Sequence, residues 1–184
     1  MPSDGCLIAF GMTKRVATYS CPMTETPVHV RKLGHAVLVV NDIERTTKFW
    51  TEIMSFKVSD RNEQGMVFLR CAGDHHTIGL AESKEKGPLP GRERAGLNHL
   101  AFEVGSMDEL FRMRDFLKEK GVKVTFEGRK GPGSNPGLEF LDPDGYGIEV
   151  YAYMDQVGWD GKSRPPEQWN RVSSLEEVVA NPLP

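Results

Sequence analysis

The sequence contains 184 residues with a formal net charge of −3, and 39% of its residues are hydrophobic. This length suits one medium-sized domain or two small repeated units, and the hydrophobic content is typical of a folded chain. Lysine and arginine form no basic run, and no apolar stretch approaches the ~18 residues of a membrane span, so we expect neither nucleic acid nor a membrane as a partner. The three cysteines, Cys6, Cys21 and Cys71, lack the spacing of a zinc site or a disulfide framework, which favours a reducing, cytoplasmic location.

Residues 1–28 show no clear hydrophobic period. Their apolar stretch "CLIAF" is too short for the core of a signal peptide, and the basic pair follows it instead of preceding it. We predict a loosely held N-terminal extension. A strand or cap that packs on the folded domain is the alternative.

The following part of the chain contains an internal repeat. The stretches "GHAVLVVND" and "NHLAFEV" each carry a histidine near the start, His35 or His99, and each precedes a helical pattern and three short strand patterns. Each unit is therefore a predicted βαβββ module, over about residues 31–83 and 97–154. The polar stretch "KEKGPLPGRERAG", rich in Gly and Pro, is the predicted joint between them.

Helix-start signals follow the first strand of each unit. Asn41 with Glu44, and Ser106 with Glu109, have the spacing of a capping box, in which two side chains satisfy free backbone amides at a helix N-terminus. Gly121 is placed to end the second helix in a left-handed conformation.

A curved four-stranded sheet with one helix buries only one of its faces well. We therefore expect an α+β fold in which the two βαβββ modules pair, sheet edges together, into a cupped half-barrel with helices outside. Side chains alternate between the two faces of a strand, and this alternation places His35 and His99 on the face that lines the cup.

The last predicted strand, "YGIEVYAY", contains a carboxylate, Glu149, between the apolar residues Ile148 and Val150. A carboxylate among buried residues is costly unless it is paired or bound to a metal. Taken singly, His35 and His99 are consistent with core histidines, and Glu149 with a solvated strand face. Two imidazoles and one carboxylate together predict a divalent metal site with coordination positions left open for other ligands.

Four motifs, "GHAVLVVND", "DHHTIGLAE", "NHLAFEV" and "LDPDGYGIEVY", resemble the vicinal oxygen chelate superfamily, which includes glyoxalase I, fosfomycin-resistance enzymes and type I extradiol dioxygenases. The resemblance extends over about residues 30–153. It implies a vicinal-oxygen-chelate domain over residues 29–154 and leaves a C-terminal tail over residues 155–184. It also implies that the metal is held by His35, His99 and Glu149.

Within this superfamily, "GDHHTIGLAE" is most similar to the extradiol dioxygenases, which carry a His-His-Thr run there. The similarity implies that His76, or its neighbour His75, exchanges protons with the substrate near the metal. Two polar histidines at the start of a strand are the alternative. Glyoxalase I would place a further glutamate ligand where this sequence has Gly79, with Glu82 too far along, and the potassium-supported loop of fosfomycin-resistance enzymes has no clear counterpart.

The sequence departs from the dioxygenase pattern on the strands before the last one. Lys130 and Glu139 stand where those enzymes carry a histidine and a tyrosine. We expect Lys130 to stabilise an anionic oxygen, although "EGRKGPGSNPG" is alternatively a flexible loop over the pocket mouth. The candidates to supply the hydroxyl group of that missing tyrosine are Tyr146, Tyr151 or Tyr153. The candidate substrate-binding residues are thus His75, Lys130, Glu139, Tyr146 and Tyr151.

The tail carries Trp159 and Trp169 in otherwise polar sequence. These large side chains favour a tail that is anchored on the domain, or on a second copy of the chain, over a mobile lid. Ser173 or Ser174 is expected to cap a short helix that extends through Val179.

These features predict an Fe(II)-dependent, extradiol-type dioxygenase that cleaves a small catecholic or enediol-like substrate with O2 and forms a homo-oligomer. Mn, Zn and Ni are the alternative metals. A metal-dependent isomerase, lyase or thiol transferase is one alternative function, and a non-catalytic small-molecule-binding protein is another, because this scaffold hosts many reactions.

Overall fold

The secondary structure of the computed structural model follows the predicted repeat. The structure describes residue 28, residues 30–89, residue 91 and residues 93–184, so the predicted N-terminal extension lies outside the described residues except at its last position. No helix within these ranges is long and apolar enough to cross a membrane. In chain order the elements are β1 (Ala36–Val40), α1 (Ile43–Glu52), β2 (Lys57–Arg61), β3 (Val67–Arg70), β4 (Ile78–Glu82), β5 (His99–Glu103), α2 (Met107–Glu119), β6 (Val124–Arg129), β7 (Pro136–Leu141), β8 (Gly147–Tyr151), a 3-10 helix (Pro166–Gln168) and α3 (Leu175–Ala180).

Each module forms its own four-stranded sheet, in the order β1–β4–β3–β2 or β5–β8–β7–β6. The first and last strands of each module run parallel, which a helical crossover between them permits, and the other neighbours run antiparallel. The α+β class and the two βαβββ modules are therefore confirmed. In the second sheet His99 lies opposite Gly147, and Ala101 opposite Glu149. His99 and Glu149 are consequently diagonal neighbours on one face of the sheet.

The caps of the two long helices match the prediction at α2 and differ from it at α1. Ser106 caps α2, and Gly121 beyond its end has a φ of 70°. The cap of α1 is Asp42, whose side chain accepts a backbone amide of the first turn, so the prediction of Asn41 is wrong by one residue. Asn41 instead donates its backbone and side-chain N–H groups to Asp144 of the second module.

The two modules share an aromatic core through α1. Trp50, which is fully buried, packs edge-on against Phe56 and against Phe102 of β5, with ring centroids 5.0 Å and 5.6 Å away. Phe49 on the same helix lies 6.5 Å from Phe140 of β7. The aromatic contacts between the modules therefore involve α1. The sequence had predicted a contact through paired sheet edges, with the helices outside. The apolar face of the second sheet needs a cover, and the aromatic side chains of α1 supply it.

The opposite face of the first sheet is open to solvent at β1. Val37 and Val39 are 48% and 51% exposed, whereas Leu38 and Val40 on the other face are buried. By strand alternation the exposed face is the one that carries His35. The surface that was predicted to line the cup is thus exposed to solvent at Val37 and Val39.

The tail packs on the second module. Val172 exchanges two backbone hydrogen bonds, of 3.0 Å and 3.1 Å, with Arg129 at the end of β6. α3 begins after Ser174, one of the two predicted caps, and Leu175 of this helix is fully buried in the core. Trp159, in contrast, is 93% exposed and does not anchor the tail on its own chain.

A buried carboxylate, Asp142, organises the turn between β7 and β8. Its Oδ1 accepts backbone N–H bonds from Asp144, Gly145 and Tyr146 at 2.8 to 2.9 Å. Its Oδ2 has no hydrogen-bond partner among the residues that the structure describes. Burial raises the pKa of Asp142 to about 6, and the three backbone bonds oppose this rise only in part.

This raised pKa predicts a stability that depends on pH. Between about pH 4 and pH 6 the folded chain keeps a proton on Asp142 that the unfolded chain has lost, because the ordinary pKa of this side chain is 3.8. The contribution of Asp142 to the unfolding free energy therefore falls by about 2 to 3 kcal/mol as the pH rises through this interval. Asp142→Asn keeps the accepting oxygen and cannot ionise. In urea titrations, the unfolding free energy of the variant minus that of the wild type should therefore rise by this amount from pH 4 to pH 7.

The exposed Asp160→Asn variant is the control for this pH series. It should show the same pH dependence of the unfolding free energy as the wild type. A difference between Asp142→Asn and the wild type that stays constant from pH 4 to pH 7 would contradict the assignment of the raised pKa to Asp142.

Candidate metal centre

The second module places two of the three predicted metal ligands together. Nε2 of His99, at the start of β5, lies 3.0 Å from Oε2 of Glu149 in the middle of β8. Their side chains are 33% and 16% exposed, so the pair borders solvent. On the other side of the imidazole, Nδ1 lies 2.7 Å from Oδ1 of Asn98. An imidazole that is held through one nitrogen presents the other to a metal.

Glu149 is also held on the side away from His99. Its Oε1 accepts a hydrogen bond from Nδ2 of Asn135 at 2.7 Å. The carboxylate leans over Gly137 of β7, where an added Cβ would lie 3.1 Å from Oε1, so a residue without a side chain is needed there. Asn135 was not predicted from the sequence, because only the folded β6–β7 loop brings it to a partner 14 residues away.

The third predicted ligand, His35, lies just before β1 in the first module. Its ring centroid is 4.4 Å from that of His76, which packs edge-on against Phe68 at 5.1 Å. Nδ1 of His75 lies 3.0 Å from Nδ1 of His76. Desolvation lowers the pKa of His76, and the neighbouring His35 and His75 lower it further. The first module therefore gathers three histidines, including the predicted acid/base residue.

The three predicted ligands are divided between two places within one chain: His35 lies beside His76, and His99 lies beside Glu149. Among the residues that the structure describes, no three His, Cys, Asp or Glu side chains form a group suited to hold a metal ion. We call His35 with His76 the first half-site and His99 with Glu149 the second half-site. Two imidazoles and one carboxylate are a donor set that fits Fe(II), Mn(II) or Zn(II). The donors present therefore fit a divalent metal when the two half-sites are brought together.

An ion pair between the buried Glu139 and the exposed Lys130 flanks the second half-site. Glu139 lies directly opposite Glu149 in the register of β7 and β8, and its side chain is buried. Two carboxylates in this arrangement repel each other. Lys130 compensates, because its ammonium group pairs with Glu139 and lies 4.4 Å from the centroid of the Phe126 ring. The structure thus places Glu139 beside a predicted metal ligand and pairs Lys130 with Glu139.

The two remaining candidate tyrosines have different surroundings. Tyr151 shares a face of β8 with Glu149, and burial raises its pKa, with smaller contributions from Glu103 and Glu149. Tyr146 donates its hydroxyl to the backbone carbonyl of Val39 in β1 at 2.9 Å. That bond links the two modules and joins Tyr146 to neither half-site, so of these two tyrosines it is Tyr151 that shares a strand face with a predicted ligand. Tyr153, the third candidate, lies beyond the end of β8 and is 56% exposed.

Paired βαβββ modules with imidazole and carboxylate donors on their sheets define a class of metal-binding α+β proteins. The sequence profile of the Glyoxalase/Bleomycin resistance protein/Dioxygenase superfamily matches residues 32–150. The chain belongs to this superfamily.

Its relatives include enzymes of more than one reaction type. The chain is 30% identical over 156 residues to the manganese-dependent 2,3-dihydroxybiphenyl 1,2-dioxygenase of Geobacillus genomosp. 3, with 83% of this chain and 44% of that protein covered. It is 26% identical over 156 residues to the lactoylglutathione lyase of Schizosaccharomyces pombe, with 71% and 50% covered. A glyoxylase/bleomycin resistance protein/dioxygenase domain from Frankia sp. EAN1pec has a similar crystal structure, with a TM-score of 0.59, 26% identity, and 68% of this chain and 100% of that chain covered. The chain spans about half the length of the curated relatives it matches.

Proposed function

We propose that this chain is a metal-dependent dioxygenase of the extradiol type, which cleaves a small catecholic or enediol-like substrate with O2. The observation that carries this assignment is the second half-site, where His99 and Glu149 are each oriented by a further contact and face each other at 3.0 Å. The 30% identity to a dioxygenase supports the reaction type. His35, His99 and Glu149 are the proposed metal ligands.

The complete metal site is proposed to form between two copies of the chain. His35 of one copy then joins His99 and Glu149 of the other. Two observations support this arrangement: the three side chains do not gather within the described residues of one chain, and the β1 face that carries His35 is half exposed at Val37 and Val39. In a dimer with two-fold symmetry the same contact occurs twice and creates two sites.

Fe(II) is the first candidate metal, and Mn(II) is the second. Two imidazoles and one carboxylate suit both ions, and Mn(II) gains support from the relative that is named as manganese-dependent. When bound, such a metal would supply a template that holds substrate and O2 side by side. Zn and Ni would favour chemistry without O2.

The other side chains are proposed to move protons and to hold the substrate. His76 adjoins His35, so in the assembled site it can accept a proton from a substrate hydroxyl and return it later. Lys130, which Glu139 holds in place, stabilises an anionic oxygen of the substrate. Tyr151 lines the face of β8 that carries the metal ligand.

A metal-dependent lyase or isomerase is the second candidate, because the chain is 26% identical to a lactoylglutathione lyase. The additional glutamate ligand that a resemblance to glyoxalase I implies is not present at the corresponding strand position. That position is Gly79, where an added Cβ would lie 3.3 Å from the side chain of Val37. The lack of a carboxylate at this position supports the dioxygenase over the lyase.

Anaerobic loading with Fe(II) or Mn(II), followed by a panel of catechols in air, tests the proposed function. We expect O2 uptake in proportion to substrate and the yellow absorbance of a ring-fission product. The metal-free protein is the control and should consume no O2. Substrate conversion without O2 uptake would favour the lyase or isomerase, and a protein that binds none of these metals tightly would contradict both enzymatic assignments.

A further inference from the structure

The two oxygens of Glu149 have different partners. Oε1 accepts the hydrogen bond from the side chain of Asn135 at 2.7 Å, and Oε2 faces Nε2 of His99 at 3.0 Å. A carboxylate with one oxygen already bonded offers the other to a metal, and outer hydrogen bonds of this kind fix the orientation of a ligand. The position of Asn135 therefore controls how Glu149 is presented.

Asn135 follows a tight turn in the β6–β7 loop. Gly133 and Ser134 have positive φ angles of 81° and 50°. Ser134 is fully buried, and its backbone N–H closes the turn on the carbonyl of Gly131 at 2.8 Å. A left-handed conformation is unfavourable for serine, so contacts from outside the loop must hold it.

The chain after β8 holds one side of this loop. Asp155 donates its backbone N–H to the carbonyl of Gly133 at 2.8 Å. The carboxylate of Asp155 accepts two hydrogen bonds from the guanidinium of Arg164, at 2.8 Å and 3.1 Å. Both side chains are mostly shielded, with 26% and 20% exposed, and a two-bond pair of this kind fixes the geometry of its partners.

Trp169 holds the other side of the loop. An added Cβ at Gly131 would lie 3.3 Å from the indole ring, so the ring rests directly on the loop backbone. Nε1 of Trp169 donates to the carbonyl of Arg164 at 2.9 Å. Trp169 therefore connects the loop to the residue that also pairs with Asp155.

Arg129 fastens the end of the tail to β6. Its side chain is buried, and its two Nη groups donate to three tail carbonyls, those of Asn170, Val178 and Asn181. With the backbone pairing of Arg129 and Val172, these bonds join the tail to the end of β6 at several points. The tail is therefore held on the module as a fixed element.

We infer that the tail, residues 155–184, is a positioning element of the metal centre, which fixes the β6–β7 loop so that Asn135 orients Glu149. This role rests on the proposed function of Glu149 as a metal ligand. The tail lies beyond residues 32–150, the part of the chain that matches the superfamily.

Binding of Mn²⁺ to the full-length metal-free protein, followed by electron paramagnetic resonance, tests this role. Asn135→Ala and Trp169→Ala should each weaken Mn²⁺ binding about 10-fold. Both substitutions act through the orientation of Glu149, so the double variant should bind Mn²⁺ no more weakly than the single variant with the lower affinity. If the two effects were independent, the losses of Mn²⁺ affinity would multiply. Trp159→Ala, which removes an indole that is 93% exposed in the same tail, should bind like the wild type.

The other possible outcomes separate a failure of the positioning role from a failure of the metal site. If the wild type binds Mn²⁺ and folded Trp169→Ala binds equally well, or if the losses of the two variants multiply, the positioning role is overturned and the metal site is not. If the wild type binds no Mn²⁺, the same comparison is made anaerobically with Fe(II); if it binds neither ion, the proposed function fails, and the positioning role fails with it. If Trp169→Ala does not fold, Arg164→Gln interrupts the same connection at the Asp155 pair and should give the same 10-fold loss.

Discussion

Replacement of His99 by alanine, or of Glu149 by glutamine, is expected to abolish tight metal binding and to lower kcat/KM at least about 1000-fold. Each change removes one of three proposed ligands, and a neutral amide is a far weaker donor to a divalent cation than a carboxylate. One variant removes the imidazole of His99, and the other replaces the carboxylate of Glu149 that faces it at 3.0 Å. Both variants should therefore show the same defect in metal binding. Metal content after dialysis and kcat/KM with the best catechol measure the effect.

Glu119→Gln is the control for these variants, because it makes the same chemical change at an exposed position at the end of α2. It should keep the metal content and the kcat/KM of the wild type. Thermal unfolding of the metal-free proteins shows whether each variant is folded. Full metal content in folded His99→Ala or Glu149→Gln would contradict their assignment as ligands.

The second large effect is the recovery of activity when two inactive variants are mixed. His35→Ala and His99→Ala are each expected to be inactive alone. If the site forms between two copies, a mixed dimer has one site that lacks both histidines and one site that is intact. Random reassociation makes half of the dimers mixed, so refolding an equal mixture should restore about a quarter of the wild-type activity.

The control for the mixing experiment is a pair of variants in the same half-site. A mixed dimer of His99→Ala and Glu149→Gln has one damaged ligand in each site, so this mixture should stay inactive. Absence of recovery in the mixture of His35→Ala and His99→Ala would show that the three side chains do not act across two copies.

The second half-site could be predicted from the sequence because local rules of strand geometry determine how its two residues are arranged. His99 and Glu149 lie on two strands of one sheet, and strand alternation with parallel pairing puts them on the same face. The relation of His35 to this pair depends on how the modules meet. That contact is decided by the packing of Trp50 and Phe102, which hydrophobic periodicity does not encode.

Two further differences arise from partners that are distant in the sequence. Asn41 and Asp42 are both good helix caps, and Asp144 of the second module binds Asn41, which leaves the cap to Asp42. Asn135 reaches Glu149 through the folded β6–β7 loop, and no motif marks that contact. The cytoplasmic location and the homo-oligomer stay predictions.

Anomalous X-ray diffraction from crystals of the Mn²⁺-loaded protein shows directly whether two copies share one metal ion. We expect one strong manganese peak for each chain, about 2.0 to 2.3 Å from a nitrogen of His99 and an oxygen of Glu149 in one copy and from a nitrogen of His35 in a second copy. A peak that these three side chains do not share, or no peak near the second half-site, would contradict the proposal of a shared site.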